Sequence, residues 1–276
     1  MKKPLFLAIS LFTVVTLAAC TDETTSAHNQ HGKTEEKHTH ESNEKSAEIQ
    51  TKWEFTKTVE ANTNNELTIQ VKDDHGKPVN DFEVNHEKQL HLIAISEDLS
   101  QFQHIHPTYK GDGNFTVPIN FPQGGNFKLI ADFKPKGASQ VIQMHDVAVK
   151  GDKPKTEGPV VDKTLVKNVD DKEIELKIDG KLKAKQETML TFTFKNAKTK
   201  EPITDLQPYL GAVGHVVILD KDSKQYVHVH PMVEDAKGPE AVFHATFPSP
   251  GIYKVWGEFQ QNNKVFTVPF VVEVSE

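Results

Sequence analysis

The chain contains no arginine: all 32 of its basic residues are lysine. Without the planar guanidinium fork there is no bidentate reader of phosphate or guanine, so nucleic acid is not an expected partner. The net charge of −7 points the same way. Cysteine is nearly absent as well. The single Cys20 lies near the N-terminus, so no disulfide can brace a fold. Any metal site must then use nitrogen and oxygen donors, with methionine sulfur as the soft alternative. No long helical pattern, G-x-S-x-G elbow or glycine-rich phosphate loop is present, and the acids are scattered without isolating a catalytic pair.

The apolar run Leu5–Leu17 is short for a bilayer crossing and follows Lys2 and Lys3, the pattern of a targeting signal. It ends in "LAAC", residues 17–20, which resembles a bacterial lipobox. The resemblance implies cleavage before Cys20, lipid on its sulfur, and residence at the extracytoplasmic face of the cell membrane. Residues 21–50 are polar and aperiodic, as in a disordered tether. They carry His28, His31, His38 and His40, imidazoles that can hold metal ions loosely.

From residue 51 short β-branched and aromatic runs begin, punctuated by Gly, Pro, Asn and Asp. They predict an all-β chain of two tandem Ig-like sandwiches, 51–150 and 161–276, joined by the polar linker 151–160. The two halves repeat one scheme. "HLIAISEDLSQFQHIHP" (91–107) matches "HVVILDKDSKQYVHVHP" (215–231) without a gap, and "GGNFKLIADF" (124–133) is echoed by "PGIYKVWGEF" (250–259). Trp53, Phe102, Phe115, Phe127, Tyr253 and Trp256 fit strand positions and are expected to fill the cores. Asp179-Gly180 reads as a hairpin turn.

The repeated segment carries the chemistry. Its histidines are 91, 104 and 106 in one copy and 215, 228 and 230 in the other, with spacings of 13 and 2 in both. Read as a hairpin turning near Asp98–Ser100, the first set places His91 opposite His106, with His104 on the same face because side chains alternate along a strand. Opposed Cβ atoms lie about 5 Å apart, so three imidazoles converge. The same holds for the second set around Asp222–Ser223. Three neutral imidazoles suit zinc or Cu(II). Pro107 and Pro231 hold the preceding histidine extended. His86, His145 and His244 are further candidate ligands, and Glu87 is the nearby candidate for a base.

These segments resemble the tandem Ig-like domains of bacterial envelope lipoproteins related to YtkA and FixH, over roughly residues 60–275. The resemblance implies metal handling at the cell surface and another envelope metal-handling protein as partner. Leu90 and Val213 stand near places where such sequences carry methionine, which favours Cu(II) or zinc over Cu(I). The expected function is a lipid-anchored protein that captures, buffers or delivers copper or zinc through duplicated three-histidine sites. The alternatives are a non-metal Ig-like interaction module of the envelope and a zinc-dependent hydrolase or lyase. The last needs an open coordination position beside a base.

Overall fold

A computed structural model of the chain describes residues 48–227 and 229–276. The targeting run, Cys20 and the four tether histidines lie outside the described residues, as does His228. The described chain is all-β and forms one compact unit built from two Ig-like sandwiches.

The first sandwich holds β1 (Gln50–Phe55), β2 (Asn65–Lys72), β3 (Leu90–Ser96), β4 (Phe102–Ile105), β5 (Thr108–Gly111), β6 (Asn114–Ile119), β7 (Gly125–Phe133) and β8 (Val141–Val149). The second holds β9 (Val166–Val169), β10 (Lys172–Ile178), β11 (Glu187–Asn196), β12 (His215–Asp220), β13 (Tyr226–Val227), β14 (His230–Pro231), β15 (Glu240–Thr246), β16 (Gly251–Gln261) and β17 (Lys264–Val274). One sheet of the first runs β1-β2-β6-β5, and its counterpart runs β10-β11-β15-β14 with β9 added at the edge. The other sheets run β4-β3-β7-β8 and β13-β12-β16-β17. The sequence repeat is therefore a repeat of topology.

Alternation decides which faces meet inside each sandwich. In β2, "NELTIQVK" puts Asn65, Leu67, Ile69 and Val71 inward and the intervening residues outward. Leu67, Ile69, Leu92, Phe115, Phe127 and Leu129 close the first core. Phe192, Phe194, Phe243, Phe259 and Phe270 dominate the second, where Phe192 and Phe259 pack with ring centres 5.1 Å apart. Each buried ring contributes about 1.5–3 kcal/mol of transfer free energy.

β3 and β12 depart from alternation. Every residue of "LHLIAIS" in β3 is buried, and so are Val216–Leu219 in β12. Both faces of these strands are covered because the two sandwiches dock on them. Ile93, Ile95, Leu99 and Ile130 of the first meet Val217, Leu219 and Trp256 of the second in a separate apolar cluster. By the sequence repeat, Ile93 matches Val217 and Ile95 matches Leu219, so equivalent faces meet. Phe102 stacks on Trp256 at 4.9 Å, and Lys254 Nζ donates to the Leu99 carbonyl at 2.7 Å across the seam.

Two expectations change here. Phe102 and Trp256 fill the seam between the sandwiches, not a sandwich core, whereas Phe115, Phe127 and Tyr253 are core residues. Asp179-Gly180 does not close a two-residue hairpin, because β11 begins only at Glu187. The intervening segment tucks Leu182 into the core and bridges Lys183 to Ser275.

Candidate metal centre

The β3–β4 ladder pairs Leu92 with Ile105 and Ile93 with His104. Paired residues share a face, so His104 lies on the docking face beside Ile93. His91 is two residues from Ile93 and faces the same way. His106 follows one step beyond the last ladder pair. The ring centres of His91, His104 and His106 are 5.2, 5.1 and 4.7 Å apart in pairs. One nitrogen from each lies within 4.8 Å of the other two.

The hydrogen bonds fix the tautomers of two rings. A carbonyl oxygen only accepts, so His91 Nε2–H donates to Asn85 O at 2.9 Å. A carboxylate only accepts, so His104 Nδ1–H donates to Glu258 Oε2 at 2.7 Å. With both rings neutral, His91 Nδ1 and His104 Nε2 carry lone pairs, and these two atoms face each other at 3.0 Å. His106 Nε2 is buried with no hydrogen-bond partner among the described residues. A carbonyl or carboxylate behind the imidazole, with the far nitrogen left bare, is the usual second layer of a metal-binding histidine.

Burial, reinforced by the neighbouring His104, lowers His91 to about 4 and His106 to about 3. Both rings stay neutral at ordinary pH, the state a metal requires. An unfolded chain binds protons on these rings near pH 6.5. The unfolded state then holds more protons than the folded one between about pH 6.5 and pH 3–4, so stability rises with pH across that window. The metal-free chain should melt at steadily lower temperature as pH falls through it. Melting in the presence of a chelator checks this, with a His91→Gln/His106→Gln variant expected to show a shallower slope; equal slopes would contradict it.

Of the second copy's histidines, the two described, His215 and His230, have different surroundings. His215 heads β12 and joins the first cluster, with its ring 5.3 Å from His91 and 5.2 Å from His104. Burial is again the leading cause of a pKa held well below the ordinary value. His230 instead pairs across the ladder with His244, whose Nδ1–H donates to Glu187 Oε1 at 2.6 Å. The expectation of two like patches fails for His215 because the face that bears it is the docking face, which brings the two copies together.

His86 reaches the cluster through an unusual turn. His86 and Glu87 both have positive φ, 46° and 63°, between Asn85 and Lys88, which exchange backbone hydrogen bonds of 2.8 and 3.0 Å. Such two-residue turns favour Asn-Gly, and a non-glycine residue there costs on the order of 1–3 kcal/mol. The second sandwich makes the same turn with Leu210 and Gly211. The strained turn sets the His86 ring edge-on to His215 at 4.6 Å, and 6.4 Å from His91. His145 lies elsewhere, stacked on Trp53 at 5.3 Å.

Glu258 is the residue that sequence reasoning missed. It pairs with His215 across the β12–β16 ladder, as Asp132 pairs with His91 across β3–β7. Both acids are buried, at 5% and 3% exposure. The signal was present: "IADF" and "WGEF" carry an acid at matching places between apolar neighbours.

A family model described as Domain of unknown function (DUF8832) matches residues 35–151 and 167–276. No curated protein matches. Among solved structures, the chain is similar to domains 4 and 5 of the S-layer protein SbsC, with 14% identity over 83% of this chain and 98% of that one, at a TM-score of 0.24. Invasin, a bacterial integrin-binding protein, matches with 12% identity over 81% of this chain and 39% of its own, at 0.26. A two-domain fibronectin type-III segment of chicken tenascin matches with 9% identity over 81% and 98%, at 0.24.

Proposed function

The chain belongs to the family of the Domain of unknown function (DUF8832), and from that footing we propose that it binds a divalent transition-metal ion, copper or zinc, at the seam of its two sandwiches. The observation that carries this reading is a pair of facing ring nitrogens, both bearing lone pairs when the rings are neutral. His91 Nδ1 and His104 Nε2 lie 3.0 Å apart with the proton of each ring already committed elsewhere. Two such nitrogens repel unless a positive centre sits between them. An ion with bonds of about 2.0–2.1 Å would hold tetrahedral nitrogens about 3.4 Å apart, a small adjustment from this geometry. His106 Nε2 supplies a third bare nitrogen.

The setting follows from the sequence. The lipobox-like "LAAC" supports a lipid anchor at Cys20 on the extracytoplasmic face of a bacterial membrane, and the tether histidines would deliver ions to the folded part. Capture, buffering or delivery to another envelope metal-handling protein is the role, in keeping with the YtkA/FixH-like motifs. Copper stands ahead of zinc on that resemblance. A hydrolytic role has little support, because Glu87 points into the strained turn beside Gly211, its Cγ 3.4 Å from where a Cβ there would stand.

A second reading has its own observation. A proton on His104 Nε2 also relieves the facing lone pairs, and makes an imidazolium held between His91 and the Glu258 carboxylate. The cluster then ties the sandwiches together without metal, in an interaction or structural module. Isothermal titration of the full chain with Cu(II) and Zn(II) separates the two. Tight binding is expected, and a His91→Ala/His104→Ala/His106→Ala variant should retain only the weak sites of the tether. If wild type binds neither ion more tightly than the variant does, the metal reading falls.

A further inference from the structure

We infer that the ion, bound as proposed above, takes its fourth ligand from the second sandwich: His215 closes a single four-imidazole site shared by both domains. The inference rests on the metal reading and goes beyond it in stoichiometry, geometry and consequence. Four imidazoles around one ion at bonds of about 2.0–2.1 Å have ring centres about 5 Å apart. His91, His104 and His106 meet that condition at 5.2, 5.1 and 4.7 Å, with one nitrogen of each within 4.8 Å of the others; His215 meets it toward His91 and His104, at 5.3 and 5.2 Å, and its ring would turn toward these three to join them. His86 does not, since its ring is 6.4 Å from His91 and lies against His215 instead. It supports the fourth ligand from behind.

Charge agrees with this count. Four neutral imidazoles leave a divalent ion uncompensated. The two acids that neighbour the cluster on the ladders, Asp132 beside His91 and Glu258 beside His215, supply two negative charges at matching places in the two sandwiches. One of them acts directly, because Glu258 of the second sandwich holds the ring of His104 in the first at 2.7 Å. The second sandwich therefore contributes both a ligand and the group that orients a ligand of the other.

A site closed by four protein ligands has no place for a reacting water, which is the pattern of a structural or storage site and not of a hydrolase. It also makes the ion a bolt across the seam. The folded part should take one ion, not two, because the second copy's leading histidine is spent on the first copy's site.

The test uses Co(II) as a spectroscopic probe in the full chain, with His28, His31, His38 and His40 changed to asparagine so that only the folded part titrates. Wild type should bind one Co(II) per chain with the intense visible bands of a tetrahedral ion, unchanged between pH 6 and pH 9. His215→Ala should admit water, weaken binding about 10–100-fold, and make the bands depend on pH as that water ionises near neutrality. His215→Gln serves if the alanine variant fails to fold, as judged by tryptophan fluorescence in a Trp53→Phe background, where only Trp256 emits. His86→Ala should keep the bands. Wild-type bands and affinity in the folded His215 variants would overturn the inference, as would two ions per folded part, or loss of the bands on His86→Ala alone. Loss of the metal reading itself has a different signature: the triple variant at 91, 104 and 106 would then bind Co(II) as wild type does.

Discussion

Trp256→Ala should destabilise the chain by about 3–5 kcal/mol and split one thermal transition into two. Trp256 is 3% exposed and stacks on Phe102 across the seam, 4.9 Å between ring centres and 12° between planes. It is the largest side chain in the apolar cluster that joins the sandwiches, and no residue of that cluster belongs to either inner core. Truncation leaves a void that neighbours on β3 and β12 cannot fill without moving the histidines that head or flank them. For a chain of this size the loss corresponds to a fall in melting temperature on the order of 10 °C. Calorimetry should show each sandwich still melting cooperatively, now separately. Metal affinity should fall together with the docking, although no ligand has been changed. A single transition at the wild-type temperature would show that the seam contributes little.

Gly214→Ala should cost about 1–3 kcal/mol and weaken metal binding as well. A Cβ on Gly214 would stand 2.4 and 2.6 Å from Cδ1 and Cε1 of Phe259, and 2.7 Å from the carbonyl oxygen of Glu258. The ring is locked in a core with Phe192, Phe194 and Phe243, so it cannot swing aside, and the carbonyl belongs to the ladder itself. Relief comes from a shift at the start of β12, which carries His215, against the strand that carries Glu258. Gly158→Ala is the control, since a Cβ there meets nothing within 4 Å. Equal stability of the two variants in denaturant titration would refute the argument.

Much of this architecture is legible in the residues. Alternation in "NELTIQVK", the punctuation by Gly, Pro and Asp, and the repeat of "HLIAIS…HIHP" as "HVVIL…HVHP" give two equivalent sandwiches and the hairpin that gathers His91, His104 and His106. The docking of the sandwiches was harder to see. Period-two patterning reports one buried face; it does not say what covers the other. The clue is the unbroken apolarity of Leu92–Ile95 and Val216–Leu219, which marks strands buried on both sides. Once both outer faces are known to be covered, His91 and His215 cannot head two separate patches. Glu258 and Asp132 escaped notice for a related reason: their role depends on a neighbour about 150 or 40 positions away, which the seam supplies for Glu258 and the β3–β7 ladder for Asp132.

The meeting of equivalent faces also bears on how such a chain can change over generations. Two separate copies that associated through this face would carry every substitution twice. A strained His86-Glu87 turn on one side would then face the same strained turn on the other, with like rings and like charges opposed. Joined in one gene, the copies are free to differ, and they do: Leu210 and Gly211 stand opposite His86 and Glu87, and the Glu87 side chain rests where Gly211 has none. Covalent linkage thus permits an asymmetric cluster on a symmetric scaffold, and it ties the inheritance of positions 124 residues apart.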